Sequence, residues 1–92
     1  MARRIVVVGA GFGGLSAAGL LARQGHDVTV VERLDHAGGR ATVWEKDGFR
    51  FDLGPSWYLM PDVYDHHYRL LGTTAAAELD LRRLSPSYRV FF

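Results

Sequence analysis

Gly9-Ala10-Gly11-Phe12-Gly13-Gly14 is a G-x-G-x-x-G run that follows an apolar stretch, Arg4 to Val8 (RIVVV), and opens a helically spaced one. Such a run suits a strand that turns sharply into a helix. Gly9 permits the tight turn, and Gly11 lets the backbone approach a pyrophosphate with no Cβ in the way. Gly14 allows helix to pack closely on strand, and Ala18 one turn later keeps that seam narrow. Between Gly13 and Gln24, Leu15, Ala18, Leu21 and Ala22 recur at helical spacing, with Gly25 as the stop. Val28 to Glu32 (VTVVE) is a second β-branched run. The three pieces predict a strand–helix–strand crossover, with its two strands parallel neighbours and its connection right-handed.

The helix that opens at this turn offers free N–H groups and a partial positive charge to phosphates. Glu32 closes the second run, eighteen residues beyond Gly14. A carboxylate there can accept bonds from both hydroxyls of an adenosine ribose and repels a 2′-phosphate. The unit so read holds the ADP half of a dinucleotide, which NAD and FAD share. Behind Arg3 and Arg4, the eighteen uncharged residues Ile5 to Ala22 imitate an export signal or a short membrane span. Five of them are glycine, which disfavours a continuous helix and which the phosphate-binding turn explains.

Beyond this unit, Ala41 to Glu45 and Phe49 to Leu53 flank Lys46-Asp47-Gly48, a hairpin signal. Pro61 and Asp62 open a helix through Leu71, with Gly72 as its stop. Thr73 to Glu78 is alanine-rich and stays open between states. Leu79 to Leu84 and Tyr88 to Phe92 read as strands around Ser85-Pro86. Of eleven aromatic residues only Phe12 precedes Trp44, and aromatics at strand spacing are read first as core and second as a substrate wall. The expected fold class is α/β: a Rossmann-like βαβ unit, then a hairpin, a helix and further strands. One crossover helix cannot cover both faces of a parallel sheet, and the last residues are the apolar Val90-Phe91-Phe92. The elements therefore read as an incomplete domain.

Charge and composition exclude several functions. Eleven Lys and Arg against ten Asp and Glu leave a net charge of +1, so no basic field invites nucleic acid. The chain has no cysteine, which excludes thiol catalysis, a disulfide scaffold and Cys-based metal sites, and fits a reducing compartment. His66 and His67 diverge on a helix and have no third ligand at suitable spacing, so no metal is expected. Arg82-Arg83 is read as a solvated strand end.

Gly38-Gly39-Arg40 follows Glu32 by six residues. On its own it reads first as an ordinary Gly-Gly turn with a surface arginine, and second as a bend beside a ligand with a guanidinium for phosphate oxygens. The stretch from Glu32 through Gly39, Arg40 and the hairpin to Phe51-Asp52-Leu53-Gly54-Pro55-Ser56-Trp57 resembles the phytoene desaturase family of amine-oxidase-like flavoproteins. The resemblance continues through Tyr58-Leu59-Met60-Pro61-Asp62 and returns at Ser85-Pro86-Ser87-Tyr88-Arg89-Val90-Phe91-Phe92. Family members are several times longer, so residues 1–92 resemble the N-terminal part of an FAD-binding domain.

The resemblance implies FAD as the cofactor. It places Gly9, Gly11 and Gly14 at the pyrophosphate and Glu32 at the ribose. Gly39 and Arg40 fall along the pyrophosphate or ribityl side, and Gly54, Pro55 and Ser56 toward the isoalloxazine. Ala10, Phe12, Gly13 and Arg33 are grouped with these as cofactor contacts. It further implies dehydrogenation of a lipophilic carotenoid precursor by the complete enzyme, in the cytoplasm or at a membrane face. The flavin is the hydride acceptor that no side chain can be, and no catalytic residue is assigned. A carotenoid isomerase, a saturase, an amine-oxidase-type flavoenzyme and a catalytically silent, truncated nucleotide-binding module are the alternatives.

Overall fold

The computed structural model describes residues 1–92 in two units, Met1–Pro61 and Asp62–Phe92. In the first, β1 (Arg4–Val8), α1 (Phe12–Arg23) and β2 (Asp27–Val31) form the expected crossover. The strands pair in parallel, Ile5 opposite Val28 and Val7 opposite Val30. Side chains alternate between faces along each strand, and these four lie half-buried. Val6, Val8 and Val31, on the alternate positions, are 64%, 85% and 44% exposed. One face of the sheet is thus covered and the other is open, where the apolar runs had called for cover on both. Ala18, 7% exposed, is the buried residue of α1, as its place one turn beyond Gly14 requires.

The end of α1 follows from Gly25. At φ +92° it enters the left-handed region, so its N–H reaches the Ala22 carbonyl at 2.9 Å and that of His26 reaches Leu21 at 3.2 Å. These two bonds satisfy carbonyls that the helix leaves without partners. The chain then drops directly into β2.

β3 (Val43–Lys46) and β4 (Phe49–Asp52) form an antiparallel hairpin around Asp47 and Gly48. Both turn residues have positive φ, 53° and 83°, which matches the twist of the flanking strands. Trp44 lies opposite Phe51 with ring centroids 5.6 Å apart, and Glu45 pairs with Arg50 at 2.7 Å. The aromatics do not form a core, however. Trp44, Phe51 and Trp57 are 48%, 51% and 61% exposed, since no second layer lies over the hairpin within this unit.

α2 (Pro61–Leu70) opens on the last residue of the first unit and runs into the second; Gly72 stops it, its φ of +89° directing its N–H to Arg69 and that of Thr73 to Tyr68, each at 3.0 Å. The alanine-rich stretch resolves as a short α3 (Ala75–Glu78), capped by Thr74 Oγ1, which accepts from the Ala77 N–H at 3.1 Å. Asp65 on α2 receives both Arg69 Nε at 2.6 Å and the Ala75 N–H at 3.0 Å, which ties α3 to α2. The two strands expected at Leu79–Leu84 and Tyr88–Phe92 do not form. β-branched and aromatic residues favour a strand only when a neighbour completes the ladder, and residues 79–92 pair with none. No helix of the chain is long and apolar enough to cross a membrane.

Candidate functional site

The site forms where β1 ends. Gly9, at φ +104°, turns the chain out of the strand while its N–H donates to the Val31 carbonyl at 2.7 Å, one last rung of the parallel ladder. Gly14 then packs directly over this turn: a Cβ there would sit inside contact distance of the Gly9 carbonyl oxygen, so only glycine fits. Gly13 is different. A Cβ on it would meet open space, so its place in the run does not come from packing.

α1 begins without a side-chain cap. Gly11 occupies the cap position in an extended conformation, and no acidic residue lies in the first turn. Amide N–H groups at a helix start lack intrahelical acceptors. The positive end of the helix dipole here lies at a turn made of glycine. The arrangement suits a multiply charged anion such as a pyrophosphate.

Ala10, at 3% exposed, sits at the centre of the site. Its N–H donates to Glu32 Oε1 at 2.9 Å and its carbonyl accepts from the Gly38 N–H at 2.8 Å. Glu32 lies one residue past β2, and its second oxygen accepts from the Leu34 N–H at 2.9 Å. These amides, Ala10 first and Leu34 second, hold the carboxyl below its ordinary value of 4.5. The Arg33 amide also favours the charged form, and with two lone pairs on each oxygen the carboxylate has more acceptor directions than these three amides use.

The second glycine pair closes against the first. Gly38 (φ +115°) and Gly39 (φ +61°) both adopt left-handed conformations, and the Ala41 N–H returns to the Gly38 carbonyl at 3.1 Å. A Cβ on Gly39 would come within 3.2 Å of the Gly11 Cα. His36 braces this segment, its Nδ1 to Asp35 at 2.8 Å and its Nε2 to Thr42 at 3.3 Å. Gly54, leaving the hairpin, lies on the Arg40 carbonyl, which a Cβ would strike.

The fold therefore brings Gly9, Ala10, Gly11, Gly14, Glu32 and Gly39 into one place, with Gly54 reaching it through Arg40. Phe12 and Gly13 lie in the first turn of α1. Arg33, Arg40, Pro55 and Ser56 are exposed on the loops that follow. Sequence reading missed Leu34 and the Gly38 N–H as structural partners. Their only sequence signals are the two-residue spacing from Glu32 to Leu34 and the pair of glycines.

A sequence-family model described as an NAD(P)-binding Rossmann-like domain matches residues 7–74. Among curated proteins, a carotenoid 3,4-desaturase of Haloarcula japonica is 53% identical over 96% of this chain and 18% of its own length. A zeta-carotene-forming phytoene desaturase of Myxococcus xanthus is 51% identical over 98% of the chain and 17% of its own length. The chain thus spans under a fifth of the length of these relatives. Among solved structures, the CLA-producing fatty acid isomerase of P. acnes aligns with a TM-score of 0.55 at 35% identity, covering 66% of this chain and 15% of that protein.

Proposed function

This chain belongs to the NAD(P)-binding Rossmann-like domain family, and from that premise we propose that residues 1–92 form the N-terminal part of the FAD-binding domain of a carotenoid-desaturase-type oxidoreductase. The observation that carries this reading is the meeting of the two glycine segments, Gly39 against Gly11, at the uncapped start of α1. The relatives named as desaturases support the substrate class. The donor set fits the group: glycine backbone without Cβ for the pyrophosphate, and a carboxylate with acceptor directions to spare for the ribose.

In this reading Gly9, Ala10, Gly11, Phe12, Gly13 and Gly14 line the pyrophosphate side, and Glu32 holds the adenosine ribose. Arg33, Gly39 and Arg40 border the phosphates, and Gly54, Pro55 and Ser56 lead toward the isoalloxazine. Bound flavin supplies hydride acceptance from an unactivated hydrocarbon. The residues of this chain bind and orient it. The substrate of the complete enzyme is a lipophilic polyene, met at a membrane face from the cytoplasmic side.

Purification of the full-length protein tests this. Flavin absorbance, FAD on release by acid, and conversion of phytoene to more unsaturated products are expected. Absence of flavin, with none taken up on titration, overturns the reading. The likeness to a fatty acid isomerase supports a second reading, double-bond isomerisation of a lipid on the same cradle. A product isomeric with its substrate, in place of a dehydrogenated one, would select it.

A further inference from the structure

Ala10 and Leu34 belong to two different loops, and one side chain holds both. The Ala10 N–H belongs to the turn after β1 and the Leu34 N–H to the segment after β2, yet they donate to the two oxygens of the same carboxylate, each at 2.9 Å. Through its own carbonyl, in the next peptide group, Ala10 accepts from the Gly38 N–H at 2.8 Å. From this geometry we infer that Glu32 is a positioning residue that assembles the phosphate turn and the second glycine segment before any nucleotide arrives, in addition to meeting the ribose. The inference rests on the dinucleotide reading for its consequence in binding, though not for its effect on the loops.

The chemistry is specific to a bidentate acceptor. A carboxylate can receive a backbone N–H on each oxygen and retain a lone pair on each. Gln keeps only one oxygen, and Ala keeps none. Held this way, the turn and the 34–39 segment lose their freedom in the free protein and not on binding, which favours affinity by preorganisation. A residue that met the ribose alone would contribute nothing to a ligand without ribose hydroxyls.

The test compares ADP with 2′,3′-dideoxy-ADP by calorimetry, in the full-length protein freed of bound nucleotide. Glu32→Ala is expected to weaken both ligands, the dideoxy nucleotide by about tenfold, in line with the loss of charge-assisted hydrogen bonds. Loss of ADP affinity with dideoxy-ADP binding unchanged would overturn the proposal and leave the ribose role intact. Failure of the unaltered protein to bind either nucleotide would overturn the dinucleotide reading itself.

Amide hydrogen exchange without ligand decides the positioning role separately. Glu32→Ala should speed exchange at Ala10 and Leu34 while Ile5 and Val7 in β1, whose amides face β2, keep their protection. If Glu32→Ala disturbs β1, Glu32→Gln carries the test: one of the two amides should lose protection and the other keep it. Protection retained at both amides in Glu32→Gln and Glu32→Ala would overturn the inference.

Discussion

Gly39 stands against Gly11 with no side chain between them: a Cβ on Gly39 would lie 3.2 Å from the Gly11 Cα. Its φ of +61° adds a conformational cost of about 1 kcal/mol for any residue with a Cβ. Gly39→Ala should therefore push the second glycine segment off the first. We expect flavin retention by the full-length protein to fall about tenfold, measured by equilibrium dialysis. Undiminished retention would show that the cofactor does not depend on this contact.

The glycines of the first turn of α1 should respond in opposite directions. Gly14→Ala drives a methyl into the Gly9 carbonyl and should destabilise by about 1–3 kcal/mol, the usual cost of overpacking. Gly13→Ala meets open space within the helix and should stabilise by about 0.5–1 kcal/mol through helix propensity. Urea midpoints of the two variants, taken side by side, check the signs.

Acid should loosen the site through Glu32. Its folded-state pKa lies below the ordinary 4.5, because the Ala10 and Leu34 amides favour the charged form. The stability it contributes is then fully present above about pH 4.5 and is lost as pH falls through the lower folded value. The stability difference between the unaltered protein and Glu32→Gln should be flat from neutral pH to about 5 and shrink below 4.5. Denaturant titrations at a series of pH values measure it, and a difference that persists unchanged to pH 2 would contradict the assignment.

Gly54 offers a way to separate the two ends of the cofactor. Its missing Cβ makes room for the Arg40 carbonyl. Gly54→Ala should shift the segment 54–56 and lower flavin affinity by about fivefold or more, given an overpacking cost of about 1–3 kcal/mol. ADP affinity should stay unchanged if, as proposed, Glu32 and the α1 turn hold the adenosine end. Equal losses for FAD and ADP would place Gly54 elsewhere.

The crossover was legible because each of its parts has a local cause. Gly9 needs positive φ, Gly14 has no room for a methyl, and Gly25 reverses the chain after α1. Asp47-Gly48 likewise specifies its hairpin by backbone twist alone. Glu32 could be found by position, but not its grip on Ala10 and Leu34, because those bonds are made by backbone groups that no side-chain pattern reveals. Leu81, Leu84, Tyr88 and Val90 were misread as strand for the opposite reason. Their propensity is real, but a ladder is a relation between segments, and residues 79–92 have no strand to pair with.

Val6, Val8 and Val31 lie on the uncovered face of the same two strands whose ends carry Gly9 and Glu32. Within residues 1–92 the cradle thus stands on strands covered on one face, and in the proposed reading nucleotide occupancy and pairing of β1 with β2 form one coupled equilibrium. A dissociation constant measured on such a unit equals the intrinsic one divided by the fraction of molecules with β1 and β2 paired, so that a fraction of about one tenth reads as a tenfold weaker ligand. By the same coupling, nucleotide stabilises the paired state by mass action. Whatever covers the valines tightens nucleotide binding without touching the nucleotide.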